Sequence, residues 1–275
     1  MDKKESKKVD VRSSVRVVTS NNFVRAAGLE KISLKARKLL YIAMSQCKRT
    51  DKDFFQYSIT AKEFASLMGI AVSHVYQDAD QLTDELMQGF MKIESEKGKA
   101  FLKFKLFDKC VYSDGVLTFK MSSDMTPILL DLKKDFSKPL LMDFLKMKSS
   151  YSIEIWHLMQ KSMHSAKPGI AEKIEFDLSL TELREVTGTQ EKLKQIGQFK
   201  ERVLDKALRE IEERCGVRIT YENIKSGKTV TGFHFTAVHL YHIDSSKIDS
   251  ETYAKIDSFK RDEEARNFIR HGRNE

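Results

Sequence analysis

The sequence predicts an α+β chain, mostly α, built as two tandem winged-helix domains. Three observations predict it. The order helix, strand, helix, glycine turn, helix, β-hairpin occurs twice along the 275 residues, as a repeat of architecture rather than of residues. An amphipathic helix over Gln198–Arg214 stops at Gly216 and runs into a basic hairpin, VRITYENIKSGKTVTGFHF. The pairs Thr60/Glu63 and Ser179/Glu182 place the same helix-start signature at the same point of each round.

The elements follow in order. Residues 1–15 are polar and lysine-rich, and are expected to form a disordered basic tail. SLKARKLLYIAMSQ, from Ser33 to Gln46, has helical spacing with Ser33 as N-cap. A short strand is expected over 53–59. A helix over 60–68 starts on the Thr60/Glu63 capping box and stops at Gly69. The next helix spans 73–87. Segments 89–94, 100–107 and 111–120 read as strands, with a Ser113-Asp114-Gly115 turn interrupting the last. The second round opens with a helix over 149–164, broken at Lys167-Pro168-Gly169. A strand over 173–178, a helix over 179–186, Gly188, the 198–214 helix and the hairpin complete it. The expected domains are therefore 16–145 and 146–242, followed by a charged tail over 243–275.

At about 100° per residue, Phe199, Val203, Leu204, Ala207, Leu208 and Ile211 fall on one half of the 198–214 helix. Arg202, Lys206 and Arg209 stand at i, i+4 and i+7 and make one outward stripe. Arg can bond guanine O6 and N7 bidentately, and either cation can neutralise phosphate. That makes the segment a candidate recognition helix in a major groove, with Lys200 near its entrance. Acids nearly balance cations here, so a solvated face with ion pairs such as Asp205 to Arg209 is the plainer alternative. The 73–87 helix differs. It carries Asp78, Asp80, Asp84 and Glu85 and no Lys or Arg, and phosphates would repel it. Protein contacts suit the first domain better, with DNA backbone contacts from flanking lysines at most. At the hairpin tip Gly227 permits the turn, and Lys225 and Lys228 are expected to meet DNA backbone or minor groove.

Net charge is +8 with a pI of about 9.2, which favours a polyanionic partner. The charge is not lopsided. Residues 1–145 hold 25 Lys and Arg against 19 Asp and Glu, and residues 146–275 hold 23 against 21. Cys47, Cys110 and Cys215 lie far apart, without zinc-ligand or disulfide-framework spacing. No apolar run approaches the roughly 20 residues of a membrane helix. The N-terminus lacks the apolar stretch of a signal peptide, so a cytoplasmic protein is expected.

Enzyme signatures are weak. His239-Leu240-Tyr241-His242 lacks the His-hydrophobic-His spacing of a nicking enzyme's metal site, because strand alternation points the two histidines to opposite faces. Ser226-Gly227-Lys228-Thr229 has Glu222 where a phosphate-binding loop needs glycine. His157 has no carboxylate or cysteine company at ligand spacing, and Trp156 and Phe176 read as core. No catalytic residue, metal site or cofactor is expected.

The chain resembles the initiator-replication family of iteron-containing bacterial plasmids. The resemblance is carried by Asn22-Phe23 with LEKISLKARKLLYIAMSQ, by FSKPLLMDFLKMKSSYSIEIWHLMQ with Lys148, Tyr151 and Ser152, and by FDLSLTELREVTG. Its most specific block is QFKERVLDKALREIEERCGVRITYENIKSGKTVTGFHF. It covers roughly residues 16–240 and rests on the ordered set. The resemblance implies two winged-helix domains, the second reading direct repeats of double-stranded DNA at the plasmid origin and the first mediating dimerisation. It implies monomers that bind the repeats and open the origin, and dimers that repress the initiator's own gene, so that copy number is controlled. Host initiator, helicase and chaperones are the implied partners. Two other readings stand beside it: a repressor of the same architecture without a replication role, and a rolling-circle nicking enzyme using Tyr241.

Overall fold

The computed structural model describes residues 6–12, 14–20, 23, 28–48, 51–94, 100–130, 132, 136–165 and 173–240. The expected tail over 243–275, Tyr241 and His242 lie outside them.

In the first half, strands β1 (Lys7–Lys8) and β2 (Thr19–Ser20) precede helix α1 (Leu34–Ser45), whose Ser33 side chain caps the Ala36 amide. Strand β3 (Gln56–Thr60) leads into helices α2 (Ala61–Met68) and α3 (Val72–Gln88). Then come β4 (Phe90–Glu94), β5 (Phe101–Lys105), β6 (Phe107–Ser113) and β7 (Val116–Met121). The turn expected at Ser113-Asp114-Gly115 separates β6 from β7, and Asp114 and Gly115 both take positive φ there. A four-stranded sheet runs β1-β3-β7-β6, and β4 pairs with β5 alone.

Part of the expected disordered tail is ordered. Lys7 and Lys8 pair in parallel with Tyr57 and Ser58. The open edge of β3 offers unpaired backbone groups, and Val9 buries its side chain beyond them. The Lys7 ammonium sits 3.2 Å from the Phe55 ring centroid, and Lys8 pairs with Glu63.

A short helix α4 (Thr126–Leu129), strand β8 (Phe136–Ser137) and helix α5 (Leu141–Lys146) connect to helix α6 (Ser150–Ser165). The second half continues with β9 (Lys173–Ser179), α7 (Leu180–Thr187) and α8 (Ile196–Phe199). A π-helical turn over Lys200–Leu204, helix α9 (Asp205–Cys215), and strands β10 (Val217–Ser226) and β11 (Thr229–His239) close it. The sheet order is β10-β11-β9, with Tyr221 opposite Phe235 and Phe235 opposite Phe176.

Helix α6 holds the halves together. Buried residues of both belong to one continuous core. Arg37 of α1 donates to Glu154 of α6 at 2.6 Å with both side chains buried. His157 of α6 is fully enclosed between the Tyr41 hydroxyl at 3.0 Å and the Thr19 hydroxyl at 3.1 Å. Burial pushes its imidazole down to about 3, which keeps it neutral. His157 is therefore a packed core histidine.

Candidate nucleic-acid interface

The second helix–turn–helix is built by local chemistry. The Ser179 hydroxyl accepts from the Glu182 amide at 3.1 Å, and Glu182 reaches back to the Ser179 amide. Gly188 ends α7 at φ +61°, a conformation that glycine adopts without a Cβ penalty. Residues 196–215 then run as one helical stretch with the π turn inside it. The Asp205 amide bonds the Lys200 carbonyl, five residues back. Such a turn inserts one residue into the regular spacing, so the side-chain phase differs on its two sides.

The apolar half is as the spacing predicts: Phe199, Val203, Leu204, Ala207, Leu208 and Ile211 are all buried. Arg202, Lys206 and Arg209 are all exposed, and among the described residues no ion pair holds them. The alternative pairing of Asp205 with Arg209 is not formed. Asp205 instead accepts the Tyr221 hydroxyl at 2.6 Å, and burial together with that carboxylate pushes the phenol upward.

Lys200 lies against the hairpin rather than in the outward stripe. Its ammonium donates to Asn223 Oδ1 at 3.2 Å and sits 5.1 Å from the Tyr221 ring centroid. Tyr221 in turn meets Phe233 edge-on, with ring centroids 5.1 Å apart. Helix and wing are thus joined by Lys200–Asn223 and Asp205–Tyr221. Sequence reasoning did not single out Tyr221 or Asn223. Their only signal was alternation along β10. The tip is a two-residue turn with Gly227 at φ +61°, and Lys225 and Lys228 are both exposed. Ser226-Gly227-Lys228-Thr229 is therefore a wing tip.

Three of the four acids on α9, Asp205, Glu210 and Glu212, have partners within the protein. Glu210 accepts the backbone amides of Lys148 at 2.6 Å and Ser149 at 3.3 Å, ahead of α6. Glu212 holds Arg218 at 2.8 Å. Glu201 and Glu213 stay exposed.

In the first domain, α3 turns its acids partly inward. Asp78 pairs with Lys35 of α1, and Glu85 accepts the Ser33 amide at 2.8 Å. Asp80 and Asp84 are exposed, as are Tyr76 and Met87. Among the described residues, no group of three or more His, Cys, Asp or Glu could hold a metal ion. None of the described helices is long and apolar enough to cross a membrane.

Two tandem winged-helix domains are the class of protein this architecture defines. The family described as Initiator Replication protein, WH1, matches residues 16–160, and that described as Initiator Rep protein, WH2, matches residues 179–237. These matches span most of the chain, which belongs to the initiator replication protein family. The first match runs past residue 145 into α6, the helix that packs against both halves. Among solved structures the chain is similar to the Pi initiator protein in complex with iteron DNA. The identity is 20%, the match covers 83% of this chain and 99% of that one, and the TM-score is 0.70. A weaker likeness links it to domains 2 and 3 of RctB, at 10% identity, 81% of each chain and a TM-score of 0.40.

Proposed function

We propose that this chain starts plasmid replication by binding direct repeats in double-stranded origin DNA, without catalysing a reaction itself. The observation that carries the reading is the second domain's surface. Arg202, Lys206 and Arg209 are exposed and unpaired among the described residues, on a helix tied to a basic wing. Membership of the initiator replication family supports it, as does a fold shared with an initiator solved on iteron DNA. Arg202, Lys206 and Arg209 enter the major groove. Lys225 and Lys228 meet backbone or minor groove. Lys200 acts from the junction of helix and wing.

The first domain, with its acidic α3, mediates homodimerisation and touches DNA only through its lysines. Monomers bind the repeats, and dimers repress the initiator's own gene. The protein acts in the cytoplasm with the host initiator, helicase and chaperones.

The test has two parts. Fluorescence anisotropy with duplexes carrying direct repeats, against scrambled duplexes of equal length, should give repeat-specific binding. A replicon lacking its own initiator should transform cells only when this chain is supplied. Equal affinity for the two duplexes would overturn the repeat reading. Repeat-specific binding without rescue would leave a repressor.

A further inference from the structure

The turn before the recognition helix is built unlike its counterpart in the first domain. There, three residues separate α2 from α3. Here residues 188–195 separate α7 from α8. Thr189 is fully buried, its hydroxyl 2.9 Å from that of Thr187. Leu193 takes φ +50°, a region that non-glycine residues visit rarely and that needs support from its surroundings.

The support comes from one side chain. Arg184 of α7 donates through Nη1 to the carbonyls of Thr189 at 2.9 Å and Lys192 at 3.0 Å. Through Nη2 it donates to Leu193 at 2.9 Å and Lys194 at 3.3 Å. Its guanidinium also covers the Phe199 ring, 4.8 Å from the centroid. A planar fork of fixed donors can gather carbonyls this way, and a lysine cannot. With these carbonyls gathered onto one cation, the turn is closed around Arg184, and Lys192 and Lys194 are exposed. Glu191 pairs with Lys194 at 3.3 Å, but both are well exposed and such a pair contributes little. Arg184, Lys192 and Lys194 against Glu191 leave the turn positive, immediately ahead of the recognition helix.

We infer that Arg184 is a positioning residue and that the turn it latches is a third DNA-contact element, in which Lys192 and Lys194 neutralise phosphates. This rests on the reading that the second domain binds duplex DNA. A pre-formed turn avoids the ordering cost that a loose loop would meet on binding. The salt dependence of binding is the readout, because it counts neutralised phosphates and a purely structural role would not move it.

The full-length chain is titrated with the repeat duplex at several salt concentrations. Lys192→Ala and Lys194→Ala should each lower the slope of log affinity against log salt by about 1. Arg184→Ala should lower it by about 2, and adding either lysine change to it should lower it little further. Arg184→Lys keeps charge but not the fork, and should give the same loss if Arg184→Ala fails to fold by circular dichroism. An unchanged slope in the lysine variants would overturn the inference. So would lysine effects of full size in the Arg184 variants. If the wild-type chain fails to bind the repeat duplex at all, and Arg202→Ala is equally silent, the DNA reading falls with it.

Discussion

Helices α2 and α7 both start on a capping box and both stop at a glycine with positive φ, Gly69 at +65° and Gly188 at +61°. The helices that follow them use charge in opposite ways. In α3 the acids Asp80 and Asp84 stay on the surface, while Asp78 and Glu85 tie the helix to α1 and its cap. Along the π turn and α9, Asp205 and Glu210 are drawn inward onto Tyr221 and the amides before α6, and Arg202, Lys206 and Arg209 are left outside. The same supersecondary frame therefore presents exposed acids in one domain and exposed cations free of ion pairs among the described residues in the other. The difference lies in which charges the tertiary structure has already engaged.

The largest expected effect tests that contrast directly. Replacing Arg202 and Arg209 by alanine should weaken repeat binding by about 1–3 kcal/mol for each residue that reads a base. Replacing Asp80 and Asp84 by alanine should change it by less than about 0.5 kcal/mol, the range of ordinary surface changes. Equal losses from the two helices, measured by anisotropy, would break the comparison.

A second effect is a pH dependence set on α6, the helix that joins the two halves. His157 is held neutral by burial, at about 3 against its usual 6.5. The stability it contributes is complete above about pH 6.5 and is lost as pH falls toward its folded value, because the unfolded chain takes up the proton more readily. Urea midpoints should therefore drop between about pH 6.5 and 5, and His157→Gln should flatten that slope.

The wing comes next. Lys225→Ala and Lys228→Ala should each reduce the salt slope by about 1 while leaving sequence preference intact. A change of preferred repeat sequence would move these lysines from backbone to base contact.

The smallest effect has the opposite pH sign. His234 Nδ1 donates to Asp177 Oδ1, 2.6 Å away, and this bond holds its imidazole above the usual range. Its contribution is complete below about pH 6.5 and is lost as pH rises through the raised value. The pair is exposed, so the effect is slight. A nuclear magnetic resonance titration of His234 should show the elevated value fall in Asp177→Asn, with Glu175 and Glu222 still raising it slightly.

Much of the frame is legible without the structure. Ser33, Thr60/Glu63 and Ser179/Glu182 act within three residues, and a hydrogen bond of that range needs only local sequence to be foreseen. The buried half of the recognition helix likewise follows from spacing alone. Three features were not legible. Lys7 and Lys8 become a strand only because β3 has a free edge more than forty residues away. Arg184 reads as an ordinary helix residue, since the carbonyls it gathers belong to a turn without a sequence signature. The π turn at Lys200–Leu204 leaves the composition of the helix unchanged.

What the residues determine by themselves is the order of elements, their caps and turns, and the apolar face of each helix, because these depend on neighbours close in the chain. Tertiary structure alone decides which charges remain available. Asp205 could have paired with Arg209 one helical turn away. The Tyr221 hydroxyl, brought alongside by β10, takes Asp205 instead, and Arg209 is left on the surface with Arg202 and Lys206. A carboxylate goes to the partner that the fold places beside it, and sequence distance does not determine which partner that is.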